Sequence, residues 1–195
     1  MKYRTILLFG APGSGKGTQG KILGAIPNFY HFACGEVFRH LTPDTELGRI
    51  FLDYSSRGQL VPDEPTIRLW RQHLEVAERD GSFNAATDTL ILDGIPRNPA
   101  QARILSEGIE VRAVLYLTCS DMSQMVARLQ RRALRENRLD DANIGLIQER
   151  LQVFERESKA LLDFYGPALV RTIDSGQSPI KVLRDILSVV EDALR

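Results

Sequence analysis

From Gly10 to Gln19 the chain reads Gly-Ala-Pro-Gly-Ser-Gly-Lys-Gly-Thr-Gln, directly after Thr5–Phe9, an uninterrupted run of apolar and β-branched residues. The pattern G-x-x-x-x-G-K is met from Gly10 through Lys16; Gly17 follows the lysine and Thr18 comes one position late. A glycine-rich turn between a buried strand and a helix start aims several backbone N–H groups and the positive end of the helix dipole at one point. Such a point suits a polyphosphate. Gly13, Gly15 and Gly17 let the backbone approach the oxygens without Cβ interference, and Lys16 can reach the outer phosphates.

Leu90-Ile-Leu-Asp-Gly-Ile-Pro-Arg97, with Gln101 one turn further on, forms a second constellation. An acidic residue that ends a buried parallel strand lies at the carboxyl edge of the sheet, beside a phosphate loop. There Asp93 can hold Mg²⁺ through water ligands. Gly94 and Pro96 bend the chain so that Arg97 turns back toward the site. Further on, Arg128, Arg131, Arg132 and Arg135 fall on one helical arc roughly 100° wide beside an apolar stripe. Such a run is usually a solvated face, but here it leads into Arg138-Leu-Asp-Asp141.

These residues need elements to hold them. Five strands are expected, at Thr5–Phe9, Phe29–Phe32, Thr89–Leu92, Arg112–Leu117 and Leu169–Ile173. Helical spacing joins Leu47, Ile50, Phe51 and Tyr54; Met122, Met125, Val126 and Leu129; and Leu183, Ile186, Leu187 and Val190. Ile67, Trp70, Leu74 and Ala77 mark another helix, stopped at Asp80-Gly81. Strands alternating with helices imply an α/β fold with a parallel sheet covered on both faces. Residues 34–62 carry short helices with no strand between them, and residues 131–141 are polar and arginine-rich; both suit mobile flaps.

A chain of 195 residues with 43% hydrophobic content suits one compact domain. The 25 acidic and 25 basic residues balance, which argues against a nucleic-acid polymer as principal partner. The cations are 20 Arg and 5 Lys, a bias suited to bidentate grips on phosphate. Cys34 and Cys119 lie far apart with no C-x-x-C pair, so neither a disulfide framework nor a cysteine-rich zinc site is expected. With no apolar run longer than a strand and no signal-type N-terminus, a soluble cytoplasmic protein is expected.

The loop GAPGSGKGTQ resembles that of the adenylate kinase family and its nucleoside monophosphate kinase relatives. Asp93-Gly-Ile-Pro-Arg97 is similar to that family's DGFPR segment, with Ile95 in place of Phe. Ala33-Cys-Gly-Glu-Val-Phe-Arg39 is similar to STGDMLR, with two hydroxyls lost at Ala33 and Cys34 and Glu36 on a longer arm than Asp. Gly58-Gln-Leu-Val-Pro-Asp-Glu64 resembles GxLVxDE, and Arg138-Leu-Asp-Asp141 resembles RxDD. Asp63 is expected to serve mainly as the N-cap of the following helix.

The resemblance implies a P-loop kinase with a five-stranded parallel sheet, an AMP-binding flap (residues 33–62) and a short lid (residues 131–141) without a zinc-bearing insertion. It implies an ATP site made by Gly13, Ser14, Gly15, Lys16, Gly17, Thr18, Arg128, Arg132 and Gln177. It implies an AMP site made by Cys34, Arg39, Leu60, Val61, Gly94, Arg97, Gln101, Arg138 and Arg150. Gln101 would read the adenine edge, Arg128 would stack on the ATP base, and Arg138 would bridge both nucleotides. Arg131 and Arg135 find no match and are left to solvent. Arg150 lies one residue later than the family's arginine, a 100° turn that must be absorbed near Asp141–Asn143 if it is to face inward.

The implied reaction is reversible: Mg·ATP and AMP give two ADP, with Lys16, Arg97, Arg132, Arg138 and Arg150 supplying positive charge. No general base is required. A UMP/CMP-type kinase and a non-catalytic adenine-nucleotide sensor remain as alternatives; Gln101 speaks against the first, and the retained Lys16, Asp93 and Arg97 against the second. A monomer is expected.

Overall fold

A computed structural model describes residues 2–136 and 138–195 of the chain; Asn137, inside the expected lid, lies outside the described residues. Five strands form one all-parallel sheet: β1 (Tyr3–Gly10), β2 (Phe29–Ala33), β3 (Thr89–Asp93), β4 (Ile109–Thr118) and β5 (Val170–Asp174), in the order β2-β3-β1-β4-β5. Each overlaps a strand expected from sequence.

The central strands show why the apolar runs are continuous rather than alternating. Leu7 and Phe9 of β1 face one core with Leu90 and Leu92 of β3, whereas Ile6 and Leu8 face a second core with Ile91 of β3. A parallel strand covered on both faces must be apolar at every position. The covering helices are α1 (Lys16–Leu23), α4 (Asp63–Asp80), α5 (Pro99–Leu105), α6 (Met122–Glu136), α8 (Ile144–Tyr165) and α9 (Pro179–Leu194). Trp70 and Leu74 of α4 pack into the first core, and Val182, Ile186 and Val190 of α9 into the second. The buried stripe of α9 is therefore rotated from the expected one, and Leu187 is exposed. Met122 likewise opens α6 in solvent, leaving Met125 and Leu129 as its buried positions.

Short helices interrupt the alternation where expected. Residues 34–62 hold α2 (Cys34–His40) and α3 (Glu46–Ser55), and α7 (Leu139–Ala142) lies between α6 and α8. Arg138, whose backbone is extended, separates α6 from α7. No described helix is long and apolar enough to cross a membrane.

Candidate active site

Register brings the chemistry-bearing residues to one edge. Leu8 of β1 and Ala33 of β2 both stand opposite Asp93, and Gly10 stands opposite Leu117. The loops leaving β1, β2, β3 and β5 therefore open together at the carboxyl end of the sheet, where α/β folds bind ligands. They surround a cavity of about 810 Å³.

The first loop wraps α1. Gly15 is left-handed (φ 95°) and caps α1 without a side-chain hydrogen bond, which keeps first-turn N–H groups available to an anion. Gly13 is also left-handed (φ 84°), and a Cβ there would come within 2.8 Å of the Met125 carbonyl. Around Gly15 the corresponding space is open. The Lys16 ammonium donates to the carbonyls of Gly10 (2.6 Å) and Ala11 (3.0 Å). Burial brings it down to about 8, partly opposed by Asp93. The Ser14 hydroxyl is buried with no partner.

Asp93 closes β3 at 9% exposure, and a Cβ on Gly17 would stand 3.7 Å from its Oδ2. No cluster of three His, Cys, Asp or Glu side chains able to hold a metal exists among the described residues, and Asp93 is the carboxylate that closes β3 on this cavity. That donor set fits Mg²⁺, which keeps most of its waters and takes phosphate oxygens as ligands. The His31 ring lies behind Asp93, its Nε2 3.8 Å from Oδ2 and without a hydrogen bond. Sequence reasoning passed over His31 because a lone histidine inside a strand carries no spacing signal.

Arg97 lies on the cavity wall with its Nε donating to the Gly94 carbonyl (2.8 Å), across a turn in which Gly94 has φ 80°. Arg39 also reaches the wall; burial lowers it to about 10, and the neighbouring Arg138 acts in the same direction. Cys34 is buried behind this wall, and burial pushes its thiol up to about 11. Asp63 is not an N-cap. That position belongs to Pro62, and the Asp63 carboxylate instead accepts from Asn98 Nδ2 (2.9 Å) and Gln101 Nε2 (2.8 Å).

Three arginines of the same cavity share two carboxylates. Arg132 grips the fully buried Asp141 through Nε (2.6 Å) and Nη2 (3.0 Å). Arg150 Nη1 reaches both Asp141 Oδ1 (2.6 Å) and Asp140 Oδ2 (2.8 Å), and Arg138 reaches Asp140 (2.7 Å). Burial raises the Asp140 carboxyl, but the Arg138 hydrogen bond and the charges of Arg150, Arg138 and Arg39 outweigh it and hold it at about 2. Ahead of Arg150 the helical run is broken between α7 and α8 by Asn143. This residue is extended (φ −98°, ψ 116°), ends α7, and caps α8 by accepting from Gly145 N and Leu146 N. The new helix thus starts with its own phase, and Arg150 lines the cavity.

A family model described as adenylate kinase matches residues 8–169. The chain belongs to the adenylate kinase family. It is 39% identical over 177 residues to the adenylate kinase of Thermobifida fusca, which covers 87% of this chain and 89% of that one. Against the adenylate kinase of Cyanothece sp. identity is 36% over 193 residues (95% and 94%), and against that of Leuconostoc mesenteroides 33% over 196 residues (97% and 98%). The five-stranded parallel sheet flanked by helices is the P-loop kinase arrangement that the sequence implied.

Most positions singled out from the family motifs meet on this one cavity. Gly13 through Thr18, Arg39, Leu60, Asp93, Gly94, Arg97 and the arginines at 128, 132, 138 and 150 all line it. Cys34, Val61 and Gln101 do not; all three are buried behind the wall. Gln177 lines the cavity, while its side-chain amide is turned to Asp185 (2.5 Å). Arg128 donates to the Ser175 carbonyl (2.9 Å) on the same loop. Arg131 and Arg135 are exposed, as the sequence reading left them, while bordering the cavity on the arc they share with Arg128 and Arg132.

Proposed function

We propose that this chain transfers the terminal phosphoryl group of ATP to AMP, reversibly, to give two ADP. The observation that carries the reading is a single cavity bounded by Lys16 on its donor loop and by Arg39 and Arg97 on its acceptor side, with Arg132, Arg138 and Arg150 at its margin. Two polyanions can meet head to head only where cations offset their repulsion. Six cations on one cavity supply that.

In this reading Gly13, Ser14, Gly15, Gly17 and Thr18 hold the ATP phosphates by backbone and hydroxyl groups, Arg128 holds the donor base, and the loop at Gln177 borders it. Arg39 and Arg97 fix the AMP phosphate; Gly94, Leu60, Val61 and Cys34 shape its base pocket, and Gln101 reads the adenine edge. Lys16, Arg97, Arg132, Arg138 and Arg150 stabilise charge on the migrating group, so positioning and electrostatics carry the rate without a general base. Asp93, through water ligands, would hold Mg²⁺, and the ion would supply positive charge against the phosphates. Residues 33–62 act as the flap over AMP and residues 131–141 as the lid over ATP, and their closure excludes water. The protein works in the cytoplasm as a monomer.

A coupled assay for ADP formation from ATP with AMP, UMP or CMP tests this directly. Turnover with AMP alone is expected; turnover with a pyrimidine monophosphate instead would make it a kinase for another acceptor, and none with any of them would leave a nucleotide-binding protein. Arg97→Ala is expected to cut kcat by orders of magnitude with Tm within a few degrees of wild type. Near-normal turnover would remove Arg97 from the mechanism.

A further inference from the structure

Gln101 is 2% exposed, and its amide is held from two sides. Its Oε1 accepts from the Arg97 backbone N–H (2.8 Å), and its Nε2 donates to Asp63 Oδ1 (2.8 Å). The same carboxylate oxygen accepts from Asn98 Nδ2 (2.9 Å), and Asn98 caps α5 by accepting from Gln101 N (2.8 Å). A backbone N–H only donates and a carboxylate only accepts, so the two contacts together fix which end of the amide is oxygen. Turning the amide over would set donor against donor at Arg97 and acceptor against acceptor at Asp63. We propose that Asp63 is a positioning residue for acceptor-base choice, locking the Gln101 amide in the one orientation that complements adenine. The inference rests on the reading of Gln101 as the residue that meets the AMP base.

The chemistry of the spare valences gives the lock its meaning. After these bonds Oε1 keeps one lone pair and Nε2 one hydrogen, so the amide offers an acceptor beside a donor in fixed order. Adenine presents the complement, an N6 amino donor beside the N1 acceptor. A 6-oxopurine presents the reverse, an O6 acceptor beside an N1–H donor, and only a turned amide would match it. Without the carboxylate of Asp63, nothing at that end opposes the turn. Arg97 resists it alone. The discrimination against 6-oxopurines is therefore divided between two contacts, one of them made by Asp63 within the motif Gly58–Glu64.

Steady-state kinetics with AMP and with inosine monophosphate on wild type, Asp63→Ala, Asp63→Asn and Gln101→Ala test this. Asp63→Ala should lower the ratio of kcat/KM for AMP over that for inosine monophosphate about tenfold, the consequence of one lost orienting hydrogen bond, with the KM for ATP as in wild type. Asp63→Asn keeps an oxygen that accepts at the same place, and should hold the ratio near wild type. If Gln101→Ala collapses the ratio while Asp63→Ala leaves it intact, the positioning role is overturned and the base reading stands. If Gln101→Ala itself leaves the ratio intact, the base reading fails and takes the lock with it. A loss in Asp63→Ala that falls equally on both acceptors and on the KM for ATP would show a structural role only, and would also overturn the proposal.

Discussion

The Lys16 ammonium is half-covered by the loop whose carbonyls at Gly10 and Ala11 it contacts, and burial brings it to about 8 from an ordinary 10.5. Phosphate oxygens beside it would restore the charged form, so nucleotide binding near pH 8 should take up a proton. ATP affinity should therefore be level below pH 8 and weaken as pH rises through it. Titration calorimetry in buffers of different ionisation enthalpy reads the uptake directly, and an equal heat in all buffers would refute it. In the free protein the sign follows from the lowered value: the buried charge costs stability below pH 8, and that cost is relieved between about 8 and 10.5. At Gly13 the limit is steric and conformational together. Gly13→Ala must hold a Cβ at φ 84° and 2.8 Å from the Met125 carbonyl, so at least a tenfold loss in kcat/KM for ATP is expected from the displaced loop.

At the level of elements, α2 and the α7–α8 junction are set by single residues. Ala33 stands at the N-cap of α2 and makes no side-chain hydrogen bond to its first turn. Ala33→Ser restores a capping oxygen and should stabilise the protein by about 1 kcal/mol, read as a rise in Tm. Asp141 is fully buried beneath Arg132 and Arg150. Asp141→Ala would leave Arg132 without its carboxylate and Arg150 with Asp140 alone, and should cost about 3 kcal/mol in denaturant unfolding, with turnover falling as the arginines lose their placement. Asp140 adds an acid limb. Its carboxyl, held at about 2 against an ordinary 3.8, contributes stability that is complete above about pH 4 and is lost as pH falls toward 2.

For the whole molecule, one sheet edge has to serve both nucleotides. Lys16 comes from the loop after β1 and Arg97 from the loop after β3, and these two strands are hydrogen-bonded neighbours. Lys16 and Arg97 are thus brought to one cavity by topology. A bisubstrate mimic with two adenosines joined by a phosphate chain should bind one per chain and be weakened by Lys16→Met and by Arg97→Ala alike. Two independent molecules per chain in calorimetry would contradict the shared site.

The strands and the phosphate loop were legible because their signals are local. Continuous apolar runs such as Leu90–Leu92 can be satisfied only between two covering layers, and the glycines at 13 and 15 hold left-handed backbone that other residues rarely adopt. Arg131 and Arg135 are exposed, as the sequence reading left them, and both also border the cavity. Their arc beside Arg128 and Arg132 was visible, but which side of that arc faces the cavity depends on how α6 packs through Met125 and Leu129 against α8. Asp63 looked like a cap because Pro-Asp-Glu opens helices; its partners at Asn98 and Gln101 lie 35 and 38 residues away.

The sequence by itself determined the class of fold, the phosphate-binding loop and the family, because each rests on residue types at short fixed spacing, where chain geometry leaves little freedom. Only the tertiary structure decided that Arg150 lines the cavity and that the Gln101 amide is held from two sides. Those outcomes depend on helix phase and on contacts between distant segments. The break at Asn143 starts α8 with a phase that no spacing rule could supply.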